Sequence, residues 1–166
     1  MSTPPLRDPD RYRSNVGIVL ISKLGHVFLG RRINSRGPFQ WQMPQGGIDD
    51  GEDAEEAAYR ELEEEVGVPA KLARHLDHTA DWIYYDFPPD LLRRLPGRFL
   101  GQKQKWFALQ FTGSDSDIRL DRHKPEFDAW RWATLSDAPD LIIPFKRQVY
   151  SEVADRFKKW TQPLDT

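Results

Sequence analysis

Asn15 to Ser22 (NVGIVLIS) is an almost unbroken apolar, largely β-branched run, the pattern of a strand buried on both faces. A turn at Lys23 to His26, built around Gly25, leads into a second strand, Val27 to Arg31. Asn34 to Phe39 reads as a loop and Trp41 to Met43 as a short strand. Pro44 to Gly51 (PQGGIDDG) reads as turning backbone.

The strongest helical segment is Asp53 to Val66. Acids crowd its first turn, where the helix dipole favours them, and Gly67 followed by Pro69 ends it. Leu72 to Phe87 is extended. Pro88 to Gly101 is a long Pro- and Gly-rich loop around a helical turn at Asp90 to Leu95. Gln104 to Phe111 and Phe127 to Ala133 are strands on either side of a polar stretch. From Phe145 to Trp160, an amphipathic helix places Val149, Tyr150, Val153, Phe157 and Trp160 on one stripe. Strands that pair as hairpins and also alternate with helices predict an α/β fold with a mixed sheet covered on two sides. No internal repeat divides the chain, so residues 1–166 are expected to form one domain with an ordered core over about 11–160.

Composition narrows the class. The 166 residues are 39% hydrophobic and 30% charged, with a mean hydropathy of −0.69. No run approaches the length of a membrane span, and Met1 to Asp10 lacks the apolar core of a secretory signal. The absence of Cys excludes a disulfide scaffold, a thiolate metal site and a Cys nucleophile. A cytoplasmic protein with no membrane partner is expected.

The net charge of −2 hides a sharp asymmetry. Ten acids and a single base, Arg60, lie between Asp49 and Glu65; the rest of the chain holds 23 bases against 16 acids. At about 100° per residue, Glu61, Glu64 and Glu65 fall within an arc of roughly 100°, beside the arc of Ala58, Tyr59, Leu62 and Val66 that anchors the helix. Like charges so spaced repel, and converging carboxylates are hard oxygen ligands suited to Mg²⁺ or Mn²⁺ with room for phosphates.

The spacing is more specific still. From Gly46 to Val68 the chain reads GGIDDGEDAEEAAYRELEEEVGV. Gly46, Glu52, Arg60, Glu61, Leu62, Glu64, Glu65, Gly67 and Val68 stand at the nine positions that define the Nudix box, so the chain resembles the Nudix hydrolases. That resemblance implies an α/β/α sandwich with the box helix on one side. It also implies metal ligation by Glu61, Glu64 and Glu65, with Glu61 or Glu64 as base. Arg60 and Glu52 would brace the loop against the helix, and Gly46 and Gly67 would permit the backbone at its two ends. The implied chemistry is in-line attack of water on phosphorus, assisted by Mg²⁺ or Mn²⁺.

Outside the box, YRSNVGIVL (from Tyr12), WQMPQGGID (from Trp41), GQKQKWF (from Gly101), PEFDAWRW (from Pro125) and PFKRQVY (from Pro144) resemble the RNA pyrophosphohydrolase branch. That branch includes bacterial enzymes that convert 5′-triphosphorylated RNA to 5′-monophosphate, promoting mRNA decay, and plant-type asymmetric diadenosine tetraphosphate hydrolases. The chain departs from it at Ser14, where many bacterial members have Pro, and in the longer loop around Pro88 to Pro96. The resemblance implies that Glu126, the glutamate of PEFD, adds a metal ligand or catalytic carboxylate. It implies that Arg13, Lys103 and Lys105 meet phosphates, while Arg32 and Phe145 sandwich a base and Tyr85 adds a stacking surface. The expected substrate is 5′-triphosphorylated RNA or a dinucleoside polyphosphate. Trp41, Trp106, Trp130 and Trp132 are expected in the core or the pocket wall. His26, His75, His78 and His123 show no metal-ligand spacing.

Overall fold

In the computed structural model, which describes residues 7–163 apart from Pro96, one mixed sheet organises the chain. Its strands are β1 (Tyr12–Ile21), β2 (Val27–Arg32), β3 (Trp41–Gln42), β4 (Gln45–Gly47), β5 (Ala73–His78), β6 (Ile83–Asp86), β7 (Gly101–Phe111) and β8 (Phe127–Ala133). The helices are α1 (Ala54–Val66), α2 (Pro89–Arg94), α3 (Ala138–Leu141) and α4 (Arg147–Phe157). The strand order is β3-β2-β1-β7-β5, with β4 on β1, β6 on β7 and β8 on β2. The long parallel pair β1–β7, from Tyr12 opposite Gly101 to Ile21 opposite Gln110, is the spine.

The apolar run in β1 is buried on both faces, as its pattern predicts. Val16, Ile18 and Leu20 pack with Phe107 and Leu109 beneath Ala57, Ala58, Leu62 and Val66 of α1. Val19 and Ile21 face the other way, with Trp106 and Ala108 beneath Val149, Tyr150, Val153 and Phe157 of α4. The result is the expected α/β/α sandwich. Gly17 is required between the layers, because a Cβ there would overlap the Trp106 indole. Truncating a fully buried anchor such as Leu62 to Ala would cost about 2–5 kcal/mol.

Several elements differ from the sequence reading. Gln45–Gly47, expected only to turn, pairs antiparallel with β1 and so pins the start of the box to the spine. The extended stretch after Leu72 breaks into β5 and β6, and the terminal helix is shorter than its stripe because 3-10 turns over Pro144–Lys146 and Lys158–Thr161 replace its ends. Among the described residues no helix is long and apolar enough to cross a membrane. Residues 1–6 and 164–166, which the sequence places outside the ordered core, and Pro96 in the long loop lie outside the described residues.

Candidate active site

The acidic helix is set by its two ends. Asp53 caps α1, its carboxylate accepting the Glu56 N–H at 2.8 Å, and Gly67 closes it in the left-handed conformation at φ 75°. With α1 anchored through Ala57, Ala58, Leu62 and Val66, the arc of Glu61, Glu64 and Glu65 turns towards β4 and the loop before β8.

Arg60 is the hub of the loop that precedes the helix. Its Nε and Nη2 donate to the two oxygens of Glu52 at 2.8 and 2.9 Å, Nη2 also donates to the Gly47 carbonyl at 2.8 Å, and Nη1 donates to Glu61 at 2.9 Å and Glu64 at 3.3 Å. This fork ties loop, strand and helix together and holds the Glu52 carboxyl down to about 2. Gly46 lies directly against Glu61: a Cβ there would overlap the carboxyl group.

Glu65 is 8% exposed and accepts the Gln45 backbone N–H at 3.3 Å. Burial, then the neighbouring charge of Glu61, pushes its carboxyl well above the usual range; the Gln45 N–H opposes this, and Glu126 adds to the rise. Glu61 is raised too, chiefly by burial, with Arg60 opposing and Glu64 reinforcing. Glu126 arrives from outside the box. Its carbonyl accepts the Ile33 N–H at 3.0 Å, just before β8 pairs with Arg32 of β2 across a register shift.

Three hollows run into one another from these acids. The first, about 320 Å³, is lined by Glu61, Glu64, Glu65, His123, Lys124 and Glu126. The second, about 370 Å³, shares the four glutamates and adds Arg32, Gln42, Gln45, Gly46 and Lys146. The third, about 390 Å³, shares Arg32, Gln45 and Lys146 and continues along Tyr85, Gln102 and Phe145. Tyr85 and Phe145 sit with ring centroids 5.9 Å apart, and the Lys146 ammonium lies 5.6 Å from the first and 6.0 Å from the second. One groove therefore passes from oxygen ligands through cations and amides to aromatic rings. A further hollow of about 920 Å³, between the β1–β2 turn and the end of α4, is remote from all of these residues.

The donor set is entirely carboxylate oxygen and shares one wall, which fits a hard divalent cation. Among the described residues no three carboxylates or imidazoles already converge as an ion site; Arg60 donates to both Glu61 and Glu64.

The structure thus brings together Glu61, Glu64, Glu65, Glu126, Arg32, Tyr85 and Phe145. Arg13, on β1 opposite Gln102, faces the same side beside Gly47. It does not bring Lys103 and Lys105 into the groove. Side chains alternate along β7, so Gln102 and Gln104 face the groove and the two lysines project from the opposite face. Of the tryptophans, Trp106 is fully buried in the core. His123 meets Glu63 at 2.8 Å, and His75 meets His78 at 3.0 Å.

Sequence reasoning missed Lys146, which is 8% exposed. Burial, and then the Arg32 charge, lowers its ammonium to about 8, against the pull of Glu65. The signal was present: Lys146 heads the apolar stripe of Tyr150, Val153 and Phe157, a buried position for a charge. It also missed Gln104, 1% exposed, whose Nε2 donates to Asn15 at 2.9 Å and Gln45 at 3.2 Å while its carbonyl accepts the Trp106 indole N–H at 3.1 Å.

Comparison with known proteins places this geometry. The NUDIX domain model matches residues 11–153. The RNA pyrophosphohydrolase of Rhodospirillum rubrum is 53% identical over 153 residues, covering 92% of this chain and 90% of that protein. That of Novosphingobium aromaticivorans is 50% identical over 149 residues, covering 89% and 92%. Among solved structures, the E. coli dihydroneopterin triphosphate pyrophosphohydrolase superposes with a TM-score of 0.67 at 22% identity, covering 87% of this chain and 98% of that one. A C. elegans Ap4A hydrolase does so with a TM-score of 0.61 at 21% identity and the same coverage.

Proposed function

The chain belongs to the NUDIX family of hydrolases, and from that premise we propose that it removes pyrophosphate, or successive phosphates, from 5′-triphosphorylated RNA. The product is 5′-monophosphate RNA, a form that promotes decay of the transcript in the cytoplasm. The observation that carries this reading is the continuous groove from the four glutamates, past Arg32 and Lys146, to Tyr85 and Phe145. Its order is the order of the substrate: cation, phosphates, first base.

Glu61, Glu64, Glu65 and Glu126 would hold Mg²⁺ or Mn²⁺. Such cations, when bound, neutralise phosphate oxygens and make water more acidic. The protein supplies the rest. The Gln45 N–H fixes one oxygen of Glu65, and Gln104, oriented by Trp106, fixes the Gln45 side chain. Arg13 orients the phosphates, with bidentate geometry available to its guanidinium. Lys146 supplies positive charge from a site where water screens it poorly. Arg32 and Phe145 flank the first base by stacking, with buried Tyr85 packed beside Phe145 in the wall; stacking accepts any base and suits an enzyme acting on many transcripts. Water attacks phosphorus and gives its proton to a carboxylate oxygen of Glu61 or Glu64; the bridging P–O bond opposite the attack breaks, and its electron pair leaves on the departing pyrophosphate or phosphate.

The rival substrate is a dinucleoside polyphosphate such as diadenosine tetraphosphate, bound in the same groove. Hydrolysis of both compounds in ¹⁸O-labelled water, with Mg²⁺ and at matched salt, separates the two. The expected result is a higher kcat/KM for triphosphorylated RNA, with monophosphorylated RNA as product. Preference for diadenosine tetraphosphate, or no monophosphorylated RNA, would overturn the reading.

A further inference from the structure

The apolar cluster beneath α1 ends at Val16 and Phe107. Further along the same face, towards the N-terminal ends of β1 and β7, stand Trp82, Tyr84, Lys103 and Lys105, all half-buried. Pairing of β6 with β7 sets Tyr84 opposite Lys103 and carries Trp82, one residue before Ile83, opposite Lys105. The Lys103 and Lys105 ammonium groups lie 4.9 and 4.8 Å from the centre of the one Trp82 ring. Tyr12 meets Tyr84 edge-on with centroids 5.0 Å apart, and the Arg7 guanidinium lies 5.4 Å from each.

The charges there are unbalanced. Among the described residues neither lysine pairs with a carboxylate. Of the nearby acids, Asp86 is taken up by Arg7 at 2.7 Å, and exposed Asp81 precedes Trp82. Two ammonium groups held around one indole repel each other, and an anion placed between them removes that repulsion. A base-sized flat ring between mobile cations on an open sheet face is the combination that binds single-stranded nucleic acid.

We propose that Trp82 with Lys103 and Lys105 forms a second RNA-binding surface, separate from the groove, that holds the single-stranded body of the transcript. Phosphodiesters take the lysines off the ring, and the freed indole face stacks a base. Exposed Arg11 and Arg98, joined by an Arg11 hydrogen bond to the Arg98 carbonyl at 3.1 Å, put further positive charge near the strand ends where the two faces meet. A chain leaving the groove past Arg13 would reach Trp82 around this end of the sheet, where exposed Asp8 and Asp10 also stand beside Arg11. This inference rests on the RNA reading above and adds to it where the rest of the substrate lies.

The test compares a triphosphorylated 20-mer RNA with a triphosphorylated dinucleotide, which fills the groove but cannot reach Trp82. The enzymes are wild type, Trp82→Ala and the double variant K103Q/K105Q, with circular dichroism to check folding. Trp82→Ala is expected to raise KM for the 20-mer by about 10-fold through the lost stack. K103Q/K105Q is expected to flatten the slope of log KM against log salt by about 1.4, from two lost phosphate contacts on a single strand. Dinucleotide turnover should stay at the wild-type value in both variants. Unchanged KM and salt slope for the 20-mer, or equal losses on both substrates, would overturn the second surface and leave the proposed activity standing. Failure of wild type to hydrolyse either RNA would instead overturn the activity itself, and this inference with it.

Discussion

Gly46 and Glu61 are packed so closely that a single methyl on the glycine would occupy the space of the carboxyl group. Gly46 lies in β4, paired with Val16 of the spine, so the backbone cannot retreat. The flexible glutamate must move instead. Gly46→Ala is therefore expected to keep the fold but lower kcat by about 100-fold, the scale of an ångström-sized misplacement in an active site. Steady-state kinetics with a thermal melt checks this; full activity would mean that Glu61 need not stay where it is.

Glu64 is the more exposed of the box acids facing the groove, with 43% of its side chain accessible. Its loss should leave packing untouched. Glu64→Gln is expected to reduce turnover by more than about 100-fold and to weaken Mn²⁺ binding measured by electron paramagnetic resonance, with an unchanged circular dichroism spectrum. Undiminished turnover would remove Glu64 from the ligand set.

The Glu52–Arg60 pair sets an acid limit on stability. Hydrogen bonds from Arg60 hold the folded Glu52 carboxyl at about 2, below its ordinary 4.5. A folded value below the unfolded one stabilises the protein above the unfolded value, and the benefit fades as pH falls from 4.5 through 2. Glu52→Gln should cost about 2 kcal/mol in urea unfolding at pH 7 and show a smaller further loss between pH 4.5 and 2 than wild type.

Lys146 has the opposite thermodynamic character. Its folded ammonium sits at about 8 against an ordinary 10.5, so the fold carries a cost for charging it below pH 8. The unfolded chain binds more protons between 8 and 10.5, and wild-type stability should gain across that window. Lys146→Met is expected to be more stable at pH 7 by about 2 kcal/mol, to lose that gain with rising pH, and to bind triphosphorylated RNA more weakly. Urea melts at pH 7 and 10, with KM at pH 7, test the three together.

Periodicity exposed the parts of the site that belong to one element. Glu61, Glu64 and Glu65 share a helical face because residues three and four apart must, and the helix limits followed from Asp53 and Gly67. The β1 run showed burial on both faces, which the two clusters display. What the sequence could not show was which strand face each flanking residue takes once β1 and β7 pair. Lys103 and Lys105 lie in the same GQKQK stretch as Gln102 and Gln104, yet alternation sends the lysines to one face and the amides to the other. Gln104 escaped notice because its importance lies in burial, a tertiary quantity, whereas Lys146 escaped because the stripe was counted from Val149 and not from the turn before it. β4 escaped because three residues with two glycines carry no strand signal, and only its partner β1 makes it one.

The parallel spine has a consequence for synthesis. Tyr12 finds its partner only at Gly101, and Glu126 and Lys146 are translated later still. Long-range pairing of this kind is slow to form and waits for most of the chain. A growing polypeptide on the ribosome displays the ten acids of the box segment well before it has a groove to put them in. The groove is therefore complete only once Lys146 has been made, and a chain cut short of it has the acids without the walls that face them.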